Sequence, residues 1–505
     1  MRLKATVFLC GAAVMVVEVL SSRLLAPIYG NSLFVWTSLI SVVLAALSLG
    51  YYRGGIFADE NPSPKKLSEV ILYAAFFVAL MPYITVFLGT ILKNVAGFKA
   101  GSLVTSVVAL FMPSYFLGMV TPFALKIKIN ALEKTGRTAG NLIALSTIGS
   151  IIGTLATGFI LIPYIGVTSI VYGTSLLLLA ISIYIGGRDV SLILMVLASV
   201  VYLSIRVTST SPLAFGENNS THVLLAKDTP YEYLQVTDNQ AANGTTRLLA
   251  LGSLFQGGIR MPSNTSFYEY VDYYNLAWLY KPQIRNILVL GCGSGAGPKE
   301  LARLHPNATI DVVDIDPEVL AAAEKYFGLT GNDRINLIEK DARMYLSDSD
   351  KKYDLIILDI YGGTHAIPFH LTTKQMAQSI KDHLTEKGVF AAEIVSALSG
   401  EEGLMFRSEY KTYREVFGPL DVFYFTSNDT NQRSTIITFT TRDGGLGKER
   451  LILSAEKTDV GLNSSDVLKK INTLYEGEVQ LDDVPVLTDD YAPVDSLIAP
   501  MTSRT

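Results

Sequence analysis

Through the first two hundred residues the apolar positions neither alternate nor recur in stripes; they run on almost without interruption. Seven stretches, Ala5–Leu25, Phe34–Tyr51, Glu69–Leu92, Leu103–Leu125, Leu142–Ile165, Thr168–Ile185 and Val190–Ile205, carry hardly any charge. A helix needs roughly 20 apolar residues to cross the hydrocarbon of a bilayer, so this pattern predicts an α-helical transmembrane bundle of about seven spans. The first stretch reads as a span and not as a cleaved leader, because further spans follow it and no small-residue cleavage site stands out. Gly149, Ser150, Gly153 and Gly158 lie at spacings that let neighbouring helices approach closely. Glu18 and Arg23 are ionisable groups within or at the end of a span. Such groups pair, snorkel or face the bundle interior, and a functional pocket stays open beside those readings.

After residue 207 the pattern changes character. Thr208–Ser220 is polar, with Pro212 and Gly216, and reads as a linker. Tyr231–Asp238 alternates like a half-exposed strand, Asn243-Gly244 is a hairpin signal, and Arg247–Leu251 returns as its partner. This small β unit ends in Gly252-Ser-Leu-Phe-Gln-Gly257. The aromatic stretch Ser266–Asn275 follows with helical spacing, which reads first as core. Tyr268 and Glu269 stand out within it because they fall just before a glycine turn.

That turn closes Ile287-Leu-Val-Leu-Gly-Cys-Gly-Ser-Gly-Ala-Gly297. An apolar run ends in Gly291, Gly293 and Gly295, where the backbone must bend tightly, and a helix is expected to open near Pro298. About twenty residues on, a second apolar strand ends in Asp314, the spacing at which a carboxylate meets ribose hydroxyls. Strands are predicted at Asn286–Leu290, Ile310–Asp314, Ile335–Glu339 and Leu355–Asp359, with helical patterns such as Pro317–Tyr326 between them. Strand alternating with helix means a parallel, doubly wound α/β sheet, which binds ligands at its carboxyl edge. Four carboxyl ends carry chemistry: the glycine turn, Asp314, Asp341-Ala342 and Asp359. The chain thus divides into a transmembrane domain over 1–207, a linker and β unit over 208–283, and a Rossmann-like domain over 284–505.

Composition sharpens this division. Of 505 residues 49% are hydrophobic and 17% charged, at a mean hydropathy of +0.34. Up to Arg206 there are 14 Lys/Arg and 6 Asp/Glu; the remainder holds 27 and 40, completing the totals of 41 and 46. A basic apolar half is therefore joined to an acidic soluble half, and an acidic surface argues against nucleic acid as a partner. Cys10 and Cys292 form no metal-binding or disulfide pattern, and no metal is expected. Basic residues gather in the loops after the second, fourth and sixth spans and at the amino terminus, which marks these as cytoplasmic. With seven spans the soluble half then lies outside the cell. Asn-x-Ser/Thr triplets beginning at Asn218, Asn219, Asn243, Asn264, Asn307, Asn428 and Asn463 fit that side.

Tyr233-Leu-Gln235, Leu251–Gln256, the glycine turn, Asp341-Ala342 and Tyr353–Asp359 together resemble, in order and spacing, the spermidine synthase (polyamine aminopropyltransferase) family. Glu18–Arg23, Ala26-Pro27, Gly50–Asp59 and Thr488-Asp-Asp-Tyr-Ala-Pro493 look like the branch in which that domain is fused to a transporter-like membrane region. The resemblance implies decarboxylated S-adenosylmethionine as co-substrate, an amine as acceptor and a homo-oligomeric assembly. It places Gln235 against the thioadenosine, Gly291, Gly293, Ser294 and Gly295 around the nucleotide turn, Asp314 on the ribose, and Asp341 with Ala342 at the adenine. Asp359 becomes the acid that orients and deprotonates the attacking amine. Gln256, Tyr268, Glu269 and Tyr361 fall around the acceptor.

Two positions depart from the family. Ser294 stands where an acid usually meets the cofactor's amine, and Gly362 stands where a second acid usually follows the catalytic one. Both losses weaken the case for a diamine acceptor, and Gly-Cys-Gly-Ser-Gly is ordinary methyltransferase sequence. An S-adenosylmethionine-dependent methyltransferase acting on a membrane-associated acceptor, or a polyamine transporter or sensor, are therefore the alternatives. His365 and His370 flank the same loop; capping or packing is the first reading for each, and a base or substrate-binding role is the alternative.

Overall fold

The computed structural model describes residues 2–29, 32–129, 135–186, 193, 220–241, 244–252, 254–329, 333–360, 367–425, 429–457 and 464–502. They form two compact units, Met1–Gly216 with Lys227–Tyr233, and Glu217–Ala226 with Leu234–Thr505.

The first unit is helical. Six segments are long and apolar enough to cross a membrane: Arg2–Tyr29, Leu33–Glu60, Pro64–Lys93, Lys99–Lys128, Thr135–Leu161 and Val167–Ile185. The pattern of apolar runs predicts about seven, but the last, Val190–Ile205, lies outside the described residues except for Ile193, and so does the linker apart from Ser220. Residues 64–128 are helical throughout yet contain two of the six. The Tyr29 hydroxyl lies 3.0 Å from the Gly89 carbonyl oxygen and 3.0 Å from the Thr105 hydroxyl, and a Cβ on Gly101 would stand 3.0 Å from the Leu92 oxygen. The chain therefore doubles back between them.

Glycines fix the spacing of the bundle. A Cβ would come within 2.0 Å of the Phe8 carbonyl oxygen at Gly149, 2.5 Å of the Ala12 oxygen at Gly153 and 2.4 Å of the Ser146 oxygen at Gly11. Ser150 donates to the Gly11 oxygen at 3.0 Å across the same seam. In lipid, close backbone approach and such hydrogen bonds replace the hydrophobic drive that packs helices in water. Gly158, expected in the same role, meets nothing within 4 Å. Five residues carry an α-helix about 140° past Gly153, so Gly158 falls on another face than Gly149 and Gly153. Arg23 donates to the backbone oxygens of Pro230 and of Tyr231 (2.6 Å to the latter), and Asp228 accepts from the Val167 N–H at 2.9 Å, capping the helix Val167–Ile185.

Beyond Ser220 the chain is built on two sheets. The smaller has five strands in chain order: β1 (Thr221–Asp228), β2 (Tyr233–Ala241), β3 (Gly244–Leu251), β4 (Leu254–Met261) and β5 (Thr265–Ser266). β2 starts two residues later than its alternation suggests, because the Thr229 hydroxyl accepts from the N–H groups of Tyr231 (3.1 Å) and Glu232 (3.0 Å) and holds them in a turn. Gly244 opens β3 at φ 128°, while Asn243 lies outside the described residues.

The larger sheet holds β6 (Asn286–Leu290), β7 (Thr309–Asp314), β8 (Ile335–Glu339), β9 (Tyr353–Leu358), β10 (Leu384–Ser396), β11 (Asp421–Tyr424) and β12 (Ser434–Thr441) in the order β11-β12-β10-β9-β6-β7-β8. β6 to β10 run parallel and the β10–β12–β11 edge is antiparallel. Strand order reverses between β6 and β9, which makes this a Rossmann-like methyltransferase fold. β9 is buried along its whole length, as expected of a parallel strand covered on both faces. It ends at Leu358, so Asp359 lies just past the strand and not within it. The helix after the glycine turn opens at Ala296, two residues ahead of Pro298. The aromatic stretch is helical only from Tyr270 on, through three short turns ending at Tyr280.

Candidate active site

The reversal of strand order leaves a crevice at the carboxyl ends of β6 and β9, and the glycine turn lines it. Gly291 has φ 99°, and a Cβ there would sit 1.8 Å from the Asp359 carbonyl oxygen; no other residue fits. This close approach brings the turn and the Asp359 backbone together. On the other side, the edge of β4 touches the turn. A Cβ on Gly257 would be 2.4 Å from the Ser294 hydroxyl, and one on Gly293 would be 3.3 Å from the Gln256 oxygen.

Asp314 ends β7 and faces the turn. Its carboxylate accepts from the Cys292 N–H (2.9 Å) and the Asp316 N–H (2.9 Å). Burial raises its pKa to about 6 although these backbone donors oppose the shift. The Ile315 N–H is a third backbone donor, and a carboxylate offers about four lone-pair sites, so the group remains an acceptor for a hydroxyl donor.

Asp341 caps the helix Ala342–Ser347, accepting from the N–H groups of Arg343 (2.9 Å) and Met344 (3.0 Å) through one oxygen. Its other oxygen lies 3.1 Å from Nε2 of His370. Burial works against the charge, but the Met344 donor, His370 and the Arg343 donor hold its pKa below the usual carboxylate value. A bidentate pair then ties this corner to the carboxyl-terminal segment: both guanidinium nitrogens of Arg343 meet Asp489, which also accepts from Thr373 at 2.8 Å. Thr488-Asp-Asp-Tyr491 thus braces the helix end that Asp341 and Ala342 begin.

Three side chains enclose the Asp359 carboxyl. The Tyr274 hydroxyl donates to it at 2.8 Å, and Tyr270 and Glu393 are hydrogen-bonded to it as well. Glu393 is reached through the register of the sheet: Ala392 of β10 pairs with Leu358 of β9, so the next residues, Glu393 and Asp359, stand level. Burial raises the pKa of Asp359, with the three hydrogen bonds opposing. Burial also pushes Glu393 well above its ordinary value, and the Asp359 charge and then Glu409 push it further. Ring contacts run outward from Tyr274 to Tyr270 (5.8 Å between centroids), Tyr268 (6.0 Å) and Phe267 (5.0 Å).

The fold therefore gathers Gln256, Gly291, Gly293, Ser294, Gly295, Asp314 and Asp359 around one turn, with Tyr268 in the aromatic row between Tyr270 and Phe267. Gln235 is fully buried on β2 opposite Ala250. Glu269 is exposed and begins the Tyr270 helix without capping it, so it stays apart from the acid pair. Tyr361, Gly362 and His365 lie outside the described residues. Among the described residues no group of three or more His, Cys, Asp or Glu could hold a metal ion. The sequence reading passes over Glu393, the Tyr270 and Tyr274 hydroxyls, the His370–Asp341 contact and the Asp489 brace. Only Glu393 carries a visible signal, as the lone charge within the apolar run Val389–Ser396.

Residues 272–440 match the model of the spermine/spermidine synthase domain. A polyamine aminopropyltransferase of Vibrio vulnificus (strain CMCP6) is 32% identical over 33% of this chain and 54% of its own length. One of Oceanobacillus iheyensis is 21% identical over 78% of this chain and 77% of its own. A crystal structure of a probable spermidine synthase from Corynebacterium glutamicum ATCC 13032 matches 53% of this chain and 98% of its own at 17% identity, with a TM-score of 0.40. The match to the spermine/spermidine synthase domain thus covers about a third of the chain, and the relatives it resembles are named polyamine aminopropyltransferases, a class of transferase. The chain spans about half (54%) of the Vibrio relative's length.

Proposed function

We propose that the protein is a membrane-anchored aminopropyltransferase that moves an aminopropyl group from decarboxylated S-adenosylmethionine to an amine and releases methylthioadenosine. The observation that carries this reading is the buried Asp359 carboxylate beside the glycine turn, held by the Tyr274 hydroxyl at 2.8 Å. The donor set suits a sulfonium nucleoside. Asp314 remains an acceptor for a ribose hydroxyl, Gly293 and Gly295 turn the backbone at positive φ, Asp341 and Ala342 flank the adenine position, and Gln235 belongs to the thioadenosine. When bound, the sulfonium supplies a carbon whose bond to sulfur breaks as nitrogen attacks, leaving a neutral thioether.

An ammonium cannot attack that carbon, so a base must first take its proton. A positioned carboxylate does this and aligns the nitrogen, the first effect being worth about 10²–10⁴ in rate. Gln256, Tyr268 and Tyr361 are assigned to the acceptor, with Glu269 at the outer rim. Ser294 favours a second reading, methyl transfer from intact S-adenosylmethionine.

Binding separates the two. The purified protein should prefer decarboxylated S-adenosylmethionine and methylthioadenosine; preference for the carboxylated cofactor would sink the aminopropyl reading. The side of the membrane follows from the span count. Residues 190–205 as a seventh span put the synthase half outside, six spans put it with the amino terminus, and protease cleavage of the 208–220 linker in intact cells reports which.

A further inference from the structure

The mechanism so far asks a lone aspartate to deprotonate an ammonium, and a lone carboxylate is a weak base for that task. Its ordinary pKa lies about six units below that of an alkylammonium such as lysine's. Glu393 alters the situation. It is 8% exposed, its strand places it level with Asp359, and the two carboxyl groups are hydrogen-bonded to each other. Carboxylates repel, so two in hydrogen-bond contact share a proton.

Among the described residues, the pair faces groups from several elements. Tyr270 and Tyr274 donate to Asp359, Tyr268 feels the Glu393 charge, the Cys292 thiol lies under the glycine turn, and Glu409 stands behind Glu393 on the helix Leu404–Phe417. Among the described residues, the charged groups acting on Glu393 are Asp359 and Glu409, both acidic, and a cation would relieve the negative potential they create.

We infer that Asp359 and Glu393 form one two-carboxyl base: the incoming ammonium displaces the proton they share, and the pair then takes a proton back from that ammonium. The exchange of a proton for an ammonium leaves the net charge of the buried site unchanged, which a low-dielectric interior favours. In the second step an N–H bond breaks and an O–H bond forms, so the pair returns to its one-proton state and the nitrogen lone pair is freed. Because the second proton binds against a neighbouring negative charge, the doubly ionised pair is a far stronger base than aspartate alone. Glu393 thereby supplies, beside the attacking nitrogen, an acidic group of the kind missing at Ser294 and Gly362. This inference rests on the aminopropyltransferase reading of the same site.

The test is titration calorimetry of the full-length protein in detergent, saturated with methylthioadenosine, with putrescine as probe, in buffers of different ionisation enthalpy. The wild type should release about one proton per putrescine bound at pH 7, and Glu393→Gln should release close to none. Methylthioadenosine binding and the melting temperature of the variant serve as the folding control; should it fail them, Glu393→Asp, which keeps the second carboxyl, must still release the proton. Turnover of Glu393→Gln should fall about tenfold or more, toward that of a lone carboxylate. Putrescine binding without proton release, or equal release by Glu393→Gln, overturns the pair while leaving the aminopropyltransferase reading standing. Absence of any amine binding overturns both.

Discussion

The two units bury polar groups in opposite ways. In the helical unit, serine hydroxyls bond backbone oxygens or one another: buried Ser175 on the Ala75 oxygen (2.7 Å), buried Ser68 with Ser182 (2.9 Å), half-buried Ser150 on Gly11 (3.0 Å). Its seams are made of glycine, and the closeness of backbones does the holding. In the synthase unit, carboxyl groups are buried at the tips of the strands, where each costs free energy unless something answers it. Asp314 is answered by backbone N–H groups, Asp359 by tyrosine hydroxyls, and Glu393 by Asp359 itself. Glu409, behind them, is pushed up to about 8 by burial. Neutral hydrogen bonds and bare backbones serve a scaffold; acids kept at unfavourable charge states serve chemistry.

The sharpest way to break this contrast is Asp359→Asn. Turnover should fall by about 10²–10⁴ while methylthioadenosine binding persists; full activity would remove Asp359 from the mechanism. Next is the scaffold. Gly149→Val drives a side chain into the Phe8 backbone and should destabilise the protein by about 1–3 kcal/mol, read as a lower melting temperature in detergent. Gly158→Ala, with open space around it, is the control and should stay within about 0.5 kcal/mol.

Smaller effects refine the site. Tyr274→Phe removes one donor to Asp359 and should lower kcat about tenfold, the scale of a hydrogen bond to a charged group, with nucleoside affinity unchanged. Last comes pH. Asp314 has a folded pKa of about 6, above its ordinary 3.8, so the folded state holds the proton more tightly. Its contribution to stability is therefore present at low pH and lost as pH rises through that window. Nucleoside binding, which draws on the ionised form, runs the other way: methylthioadenosine affinity should fall about fourfold between pH 7 and pH 5.5. A flat profile would take Asp314 off the ribose.

Hydrophobic pattern made the helices and parallel strands legible because continuous apolar runs and glycine turns are local signals. The glycine turn, Asp314 and Asp341 were readable for the same reason: each ends its own strand or begins its own helix. The helical span over the aromatic stretch was overdrawn, since ring spacing alone does not say where β5 stops and the turns begin. Gly158 does not share the role of Gly149 and Gly153, because a spacing of five residues turns it to another face of the helix.

What the sequence determined alone is the division into an apolar bundle and an acidic α/β half, with Asp359 at a strand's end. What only the tertiary structure decided is the company Asp359 keeps. Tyr274 lies 85 residues away, and Glu393 is brought level with it by the register between two strands. That register depends on how a whole sheet packs, and no local pattern records it.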